Sequence, residues 1–104
     1  MINDNLLEKN GYTKYNDNVY NSETLYQKKV KDKKGTKYFV DFYKYVFTVF
    51  NNEPIYEVRL HINKDNYSLN ILLYTISKDM SLEEIEKEVD KIWHDLGGDY
   101  YEYE

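Results

Sequence analysis

The side chains best suited to chemistry are sparse and widely spaced in this chain. His61 and His94 are its two histidines, and no H-x-x-H or H-x-x-x-H pair sets up a metal-binding helix face. There are no cysteines, which removes thiolate zinc sites, disulfides and sulfur nucleophiles together. Asp and Glu number 19, so many carboxylate pairs are conceivable at glycosidase separation, yet spacing selects none of them. G-x-S-x-G, G-x-G-x-x-G and Walker-type loops are missing. Gly11, Gly35, Gly97 and Gly98 all stand where a turn or a helix end is expected. Asn66-Tyr67-Ser68 matches a glycosylation acceptor, but residues 1–10 carry no basic segment leading into an apolar stretch. The expectation is a non-enzymatic protein that uses no cofactor and no metal.

What remains is charged and aromatic surface. The net charge of −5 conceals two opposed blocks. Residues 28–37, KKVKDKKGTK, hold six lysines against one aspartate, while residues 81–104 hold nine carboxylates against two lysines. The blocks can attract one another, present a field to a partner, or simply stay solvated. The acidic block supplies Glu83, Glu84, Glu86, Glu88, Asp90 and Asp95, continued by Asp99, Glu102 and Glu104. Such an array can occupy a basic surface that otherwise holds phosphates, because lysine and arginine pair with either anion. Lys87 and Lys91 interrupt it, and Glu83 and Lys87 have the i,i+4 spacing of an ordinary helix pair. The competing reading places Lys33, Lys34 and the rest of the 28–37 hairpin on nucleic acid, with Tyr38 beside them. A single arginine and the overall acidity oppose it.

These residues must be held by elements, and the clearest is at 81–96, SLEEIEKEVDKIWHDL. Leu82, Ile85, Val89, Ile92, Trp93 and Leu96 fall on one stripe of a 3.6-residue helix. Ser81 and Glu84 form a capping box, Met80 can staple onto Ile85, and Gly97 suits the helix stop. Residues 2–9 predict a short helix with Ile2, Leu6 and Leu7 on its apolar side, ending at Asn10-Gly11. Residues 10–23 read as loop. Strands are expected at 24–31, 36–50, 55–63 and 67–77. The turns between them fall at Lys33-Lys34-Gly35, Asn51-Asn52-Glu53-Pro54 and Lys64-Asp65-Asn66. Short turns favour antiparallel neighbours. The fold class is therefore α+β: an antiparallel meander of about four strands, the C-terminal helix packed across it, and a short N-terminal helix. One domain is expected, with 1–23 as helix and loop, 24–77 as sheet, 81–96 as helix and 97–104 as an acidic, tyrosine-rich tail.

Strand parity then divides the sheet. Tyr56, Val58, Leu60, Ile62, Leu69, Ile71 and Leu73 are expected beneath the helix. The other face is expected to carry Asp41, Tyr43, Tyr45, Phe47, Glu57, Arg59, His61, Asn70, Leu72 and Tyr74. That set suits recognition of a protein or of single-stranded nucleic acid, unless the N-terminal segment, the tail or a second copy of the chain covers it. The tail, GDYYEYE, adds a strand to a sheet edge, enters a partner, or stays loosely ordered. No apolar run approaches the ~20 residues of a membrane span. A bacterial cytoplasm and a monomer or homodimer are the expected setting.

The stretches LLEKNGYTKYNDN, YQKKV, GTKYFVDFYKY and LEEIEKEVDKIWHDLGG resemble small orphan proteins of phages and prophages from AT-rich bacteria. The resemblance is one of sequence style across most of the chain, and it transfers no residue roles. Proteins of that kind include anti-CRISPR inhibitors and other counter-defence factors, many of them acidic, non-enzymatic and able to occlude a nuclease's nucleic-acid site. Toxin-immunity proteins have a similar character. The resemblance implies a stoichiometric inhibitor whose partner is a bacterial nuclease or other defence effector. A nucleic-acid-binding accessory protein and a toxin-immunity protein are the alternatives.

Overall fold

The computed structural model describes residues 2–16, 23–32, 37–46, 53–64, 67–76, 80–97 and 101–103. Its elements are α1 (Asp4–Lys9), β1 (Thr13–Asn16), β2 (Glu23–Asp32), β3 (Lys37–Val46), β4 (Pro54–Lys64), β5 (Tyr67–Thr75), α2 (Leu82–Asp95) and β6 (Tyr101–Tyr103). Strands β1 to β5 pair in sequence order, each antiparallel to the next. The fold is α+β with an antiparallel meander, as expected, and the meander has one strand more than the four or so expected.

The additional strand is β1, which falls in the segment expected to be loop. Thr13-Lys14-Tyr15-Asn16 is too short and too polar to show a period. Its backbone is extended because it pairs with β2, Thr13 opposite Gln27 and Asn16 opposite Thr24. β6 takes the same outer edge of β2 further along, with Tyr103 opposite Val30 and Tyr101 opposite Asp32. The tail therefore adds a strand to a sheet edge. The expected turn at Lys33-Lys34-Gly35 and the strand residue Phe47 lie outside the described residues.

Both helices form as their end signals dictate. Asn3 Oδ1 accepts from the Leu6 N–H at 2.9 Å, and Ser81 Oγ accepts from the Glu84 N–H at 3.1 Å, so each helix has a side-chain N-cap. Gly97 follows α2 with φ of +99°, a conformation that a side chain would strain. Apolar residues of α1 and α2 bury against one face of the sheet. There Leu7, Ile85, Val89 and Trp93 meet Tyr26, Val30, Tyr38, Val40, Phe42, Tyr56, Val58, Leu60 and Ile62. Trp93 stacks on Tyr38 with ring centroids 4.8 Å apart.

The structure corrects the expected core at three positions. Leu96 is the C-cap of α2 and 57% exposed, while Leu69, on the outermost strand, is 47% exposed. Tyr74 changes face altogether. Strict alternation puts it with Leu72, but a β-bulge shifts the register so that Leu72 opposes Arg59 and Tyr74 opposes Val58. The extra residue, Leu73, turns Tyr74 onto the helix-covered side, where it packs on the core.

Candidate functional site

Register fixes which side chains meet on the other face. β2 contributes Leu25, Gln27 and Lys29, and β3 contributes Phe39, Asp41, Tyr43 and Tyr45. β4 adds Ile55, Glu57, Arg59 and His61, and β5 adds Ser68, Asn70 and Leu72. Each is the sequence neighbour of a residue facing the helices, because successive side chains of a strand point to opposite faces. Among the described residues no helix covers this second face.

Asp41 lies at its centre and is fully buried, walled by side chains of the flanking strands. Gln27 and Arg59 stand directly opposite it on β2 and β4. Gln27 Nε2 donates to Asp41 Oδ1 at 3.0 Å, whereas Oδ2 has no hydrogen bond, with His61 Nδ1 3.3 Å away. Burial pushes the Asp41 carboxyl up to about 6, against the opposing pull of Gln27 and His61. A buried carboxylate with one oxygen unsatisfied is costly, so the proton is held more tightly than in water.

His61 connects this aspartate to the sheet edge. Its ring packs on Phe39 at 5.1 Å, and Nε2 lies 2.6 Å from Ser68 Oγ. Asp41, His61 and Ser68 thus follow one another as in a hydrolase relay, a grouping that sequence spacing did not reveal. His61 Nδ1 stands 3.3 Å from Asp41 Oδ2 and 3.3 Å from Gln27 Nε2. Protonated on Nε2, His61 accepts from the Gln27 amide and donates to Ser68; protonated on Nδ1, it faces Asp41 and leaves Nε2 to accept from the Ser68 hydroxyl. Gln27, Asp41, His61 and Ser68 form one polar network that runs across β2 to β5.

Beside it lies an aromatic and guanidinium surface. Arg59 spreads over the Tyr43 ring at 4.6 Å and donates through Nη2 to Glu57 Oε2 at 3.0 Å. Tyr45 donates to the same carboxylate oxygen at 3.3 Å, and the Tyr43 and Tyr45 rings stack with centroids 6.5 Å apart. Toward β1 a groove of about 300 Å³ is bordered by Thr13, Tyr15, Gln27, Lys29 and Phe39.

Sequence reasoning placed Tyr43, Tyr45, Arg59 and His61 on one surface, and the structure brings them together. It missed Gln27, Phe39 and Ser68. The alternation along β2, in which Leu25 and Gln27 share a parity opposite to that of Tyr26, is the signal that could have found Gln27. The partner of Ser68 depends on register, which no local signal carries. Of the alternative surface residues, Tyr74 belongs to the helix side, and Lys33 and Lys34 lie outside the described residues.

The acidic array is less continuous than its spacing suggested. Glu86 turns inward and accepts from Lys28 Nζ at 3.0 Å and from the Tyr12 hydroxyl at 2.8 Å. Lys28 belongs to the basic block and Glu86 to the acidic one, so part of their attraction is used within the fold. Glu83 pairs with Lys87 at 3.3 Å, and Asp90 lies 3.7 Å from His94. Glu84, Glu88 and Asp95 remain exposed. Glu102 stands opposite Lys31 in the β2–β6 pairing, and Asp99 and Glu104 lie outside the described residues.

The arrangement defines an α+β domain with one face of its sheet under two helices and the other uncovered by either. No protein family, curated protein or solved structure matches the chain. Among the described residues no helix is long and apolar enough to cross a membrane.

Proposed function

We propose that this chain is a non-enzymatic binding protein that docks a protein partner on the second face of its sheet. The observation that carries this reading is the Asp41 network and the Arg59–Tyr43–Tyr45–Glu57 surface beside it. Tyrosine and arginine held in place by neighbouring groups are the side chains that contribute most at protein interfaces, since little freedom is lost on binding. Leu72, 55% exposed at the margin of the same face, adds apolar area. A protein fits better than nucleic acid here. Glu57 stands among the aromatics and ties up the single arginine, which leaves phosphate a poor reception.

Inhibition by occupying a nuclease's phosphate-binding surface with α2 has narrower support, because Glu86 is committed internally and Glu83 and Asp90 have helix partners. The resemblance to phage-borne inhibitors makes a bacterial defence nuclease the first partner to try. The test begins with the tagged protein as bait in bacterial lysate, with and without nuclease treatment, followed by calorimetry on whichever protein is retained after it. A Tyr43→Ala, Arg59→Ala double variant is expected to weaken binding by about 30-fold or more. A Glu84→Lys, Glu88→Lys, Asp95→Lys triple variant is expected to bind within about threefold of wild type. The reverse pattern moves the contact to α2. Retention of nucleic acid alone, lost on nuclease treatment, moves it to the lysine-rich hairpin.

A further inference from the structure

The two edges of the sheet differ sharply. The β2 edge is occupied over Thr24–Gln27 by β1 and over Val30–Asp32 by β6. The β5 edge has no strand against it among the described residues. In a chain that is 32% charged, Tyr67–Thr75 (YSLNILLYT) contains no charged residue and no proline. Charges and prolines are the devices that normally stop an edge strand from pairing. Leu69 and Leu72, among the most exposed large apolar side chains of the described residues, both sit on this strand.

We infer that the β5 edge is a self-association site, at which a second copy of this chain pairs its own β5 antiparallel across a twofold axis. Charge selects this occupant. Two chains of net charge −5 repel one another wherever their acidic surfaces meet, whereas β5 meets itself without any like-charge contact. An antiparallel strand pair is also its own complement under twofold symmetry, which a closed dimer requires.

The bulge sets the register. It interrupts β5 after Leu72, so the regular pairing stretch ends there. Centring the axis on Asn70 uses Ser68–Leu72 in full and keeps Leu73 out of the ladder. Leu69 then lies across from Ile71 of the second copy, twice over, on the helix-covered side. Ser68 lies across from Leu72 on the other side, and the two Asn70 residues meet on the axis. The five-stranded meanders join into one continuous sheet, and the partner-binding faces of both copies lie side by side.

The absence of cysteine in the chain permits a direct test. Single-cysteine variants Asn70→Cys, Tyr45→Cys and Glu84→Cys are oxidised and resolved by non-reducing electrophoresis, alongside sedimentation of the wild type over a range of concentrations. Residues paired on the axis of an antiparallel ladder have Cα atoms about 4.5–5.5 Å apart, within disulfide reach. Wild type is expected to show a concentration-dependent dimer, and Asn70→Cys to cross-link far more completely than the other two. Leu69→Lys is expected to weaken the dimer by roughly tenfold or more, while Leu69→Val, equally folded by circular dichroism, retains it. Wild type that stays monomeric at every concentration overturns the inference, and so does preferred cross-linking through Tyr45→Cys or Glu84→Cys. Leu69 lies on the helix-covered side, away from Tyr43 and Arg59, so loss of the dimer and loss of the partner are read by different variants.

Discussion

β3 shows the contrast between the two faces residue by residue. Tyr38, Val40 and Phe42 point toward the helices and are fully buried, while Phe39, Tyr43 and Tyr45 alternate with them and stay partly exposed. Each face also has an aspartate in a network of polar side chains. Asp4 accepts from Lys44 Nζ at 2.7 Å and from the Tyr56 hydroxyl at 2.6 Å. Burial alone raises the Asp4 carboxyl, but the hydrogen bonds from Lys44 and Tyr56 outweigh it and hold it below its ordinary range. Asp41 is buried more completely, has one amide donor, and is pushed the other way. Asp4 therefore has an ammonium and a hydroxyl donor to offset its burial, whereas Asp41 has a single amide. What sets the second face apart from the acidic helix is that its partly exposed Tyr43, Tyr45 and Arg59 are held in place by one another and by Glu57, which is why the proposed function is placed there.

The largest expected effect comes from adjacent residues on opposite faces. Phe42→Ala removes a fully buried ring that meets Tyr12 edge-on at 5.2 Å, and is expected to cost about 3–5 kcal/mol. Tyr43→Ala removes a partly exposed ring under Arg59 and is expected to cost about 1 kcal/mol. Urea unfolding of both variants checks this. Equal losses would mean that the second face is core, covered by something in the intact chain, and the binding reading would fail with it.

The same contrast explains how much was legible in the sequence. α2 was readable from Ser81 to Gly97 because its stripe, cap and stop are local signals that agree. Alternation along β4 assigned Tyr56, Val58, Leu60 and Ile62 to the core and Arg59 and His61 to the other face before any pairing was known. β1 was illegible because four polar residues acquire their conformation from β2 rather than from themselves. Tyr74 was misplaced because a bulge is a property of a strand pair, and a single extra residue inverts everything beyond it. Glu86 was read as exposed acid because its position toward the margin of the α2 stripe does not announce that Lys28 and Tyr12 reach it. Local periodicity gave the elements and their faces; the register-dependent contacts of Ser68 and the inward turn of Glu86 had no local trace.

Asp41→Asn sharpens the comparison at the next level. The raised carboxyl means that the folded protein holds this proton more tightly than the unfolded chain does. The stabilisation from that proton is complete below about 4, the unfolded value, and disappears as pH rises through about 6. Asparagine keeps an acceptor for Gln27, places a donor where Oδ2 was unsatisfied, and removes the charge. The variant is expected to exceed wild type by about 2 kcal/mol at pH 8 and to match it near pH 4. Denaturant midpoints at the two values measure the difference. A variant less stable than wild type at pH 8 would show that His61, Gln27 and Arg59 stabilise the carboxylate after all.

Asp4→Asn should produce the opposite slope with a smaller amplitude. The lowered carboxyl of Asp4 contributes stability above the ordinary carboxylate range, and that contribution is lost as acidification protonates it. Its side chain is 35% exposed, so solvent screens the Lys44 pair and limits the loss to about 1 kcal/mol at pH 7. The asparagine still accepts from Tyr56 or Lys44, so what disappears is the charge and not the contact. Measured against wild type, the deficit is expected to shrink as pH falls through the carboxylate range, while the Asp41→Asn advantage shrinks over a window that begins nearer neutrality. Two aspartates, one at the start of α1 and one on β3, would then give difference curves of opposite sign, separated in pH. A deficit for Asp4→Asn that persists undiminished in acid would mean that Asp4 acts through shape and hydrogen bonding at the start of α1, with its charge contributing nothing.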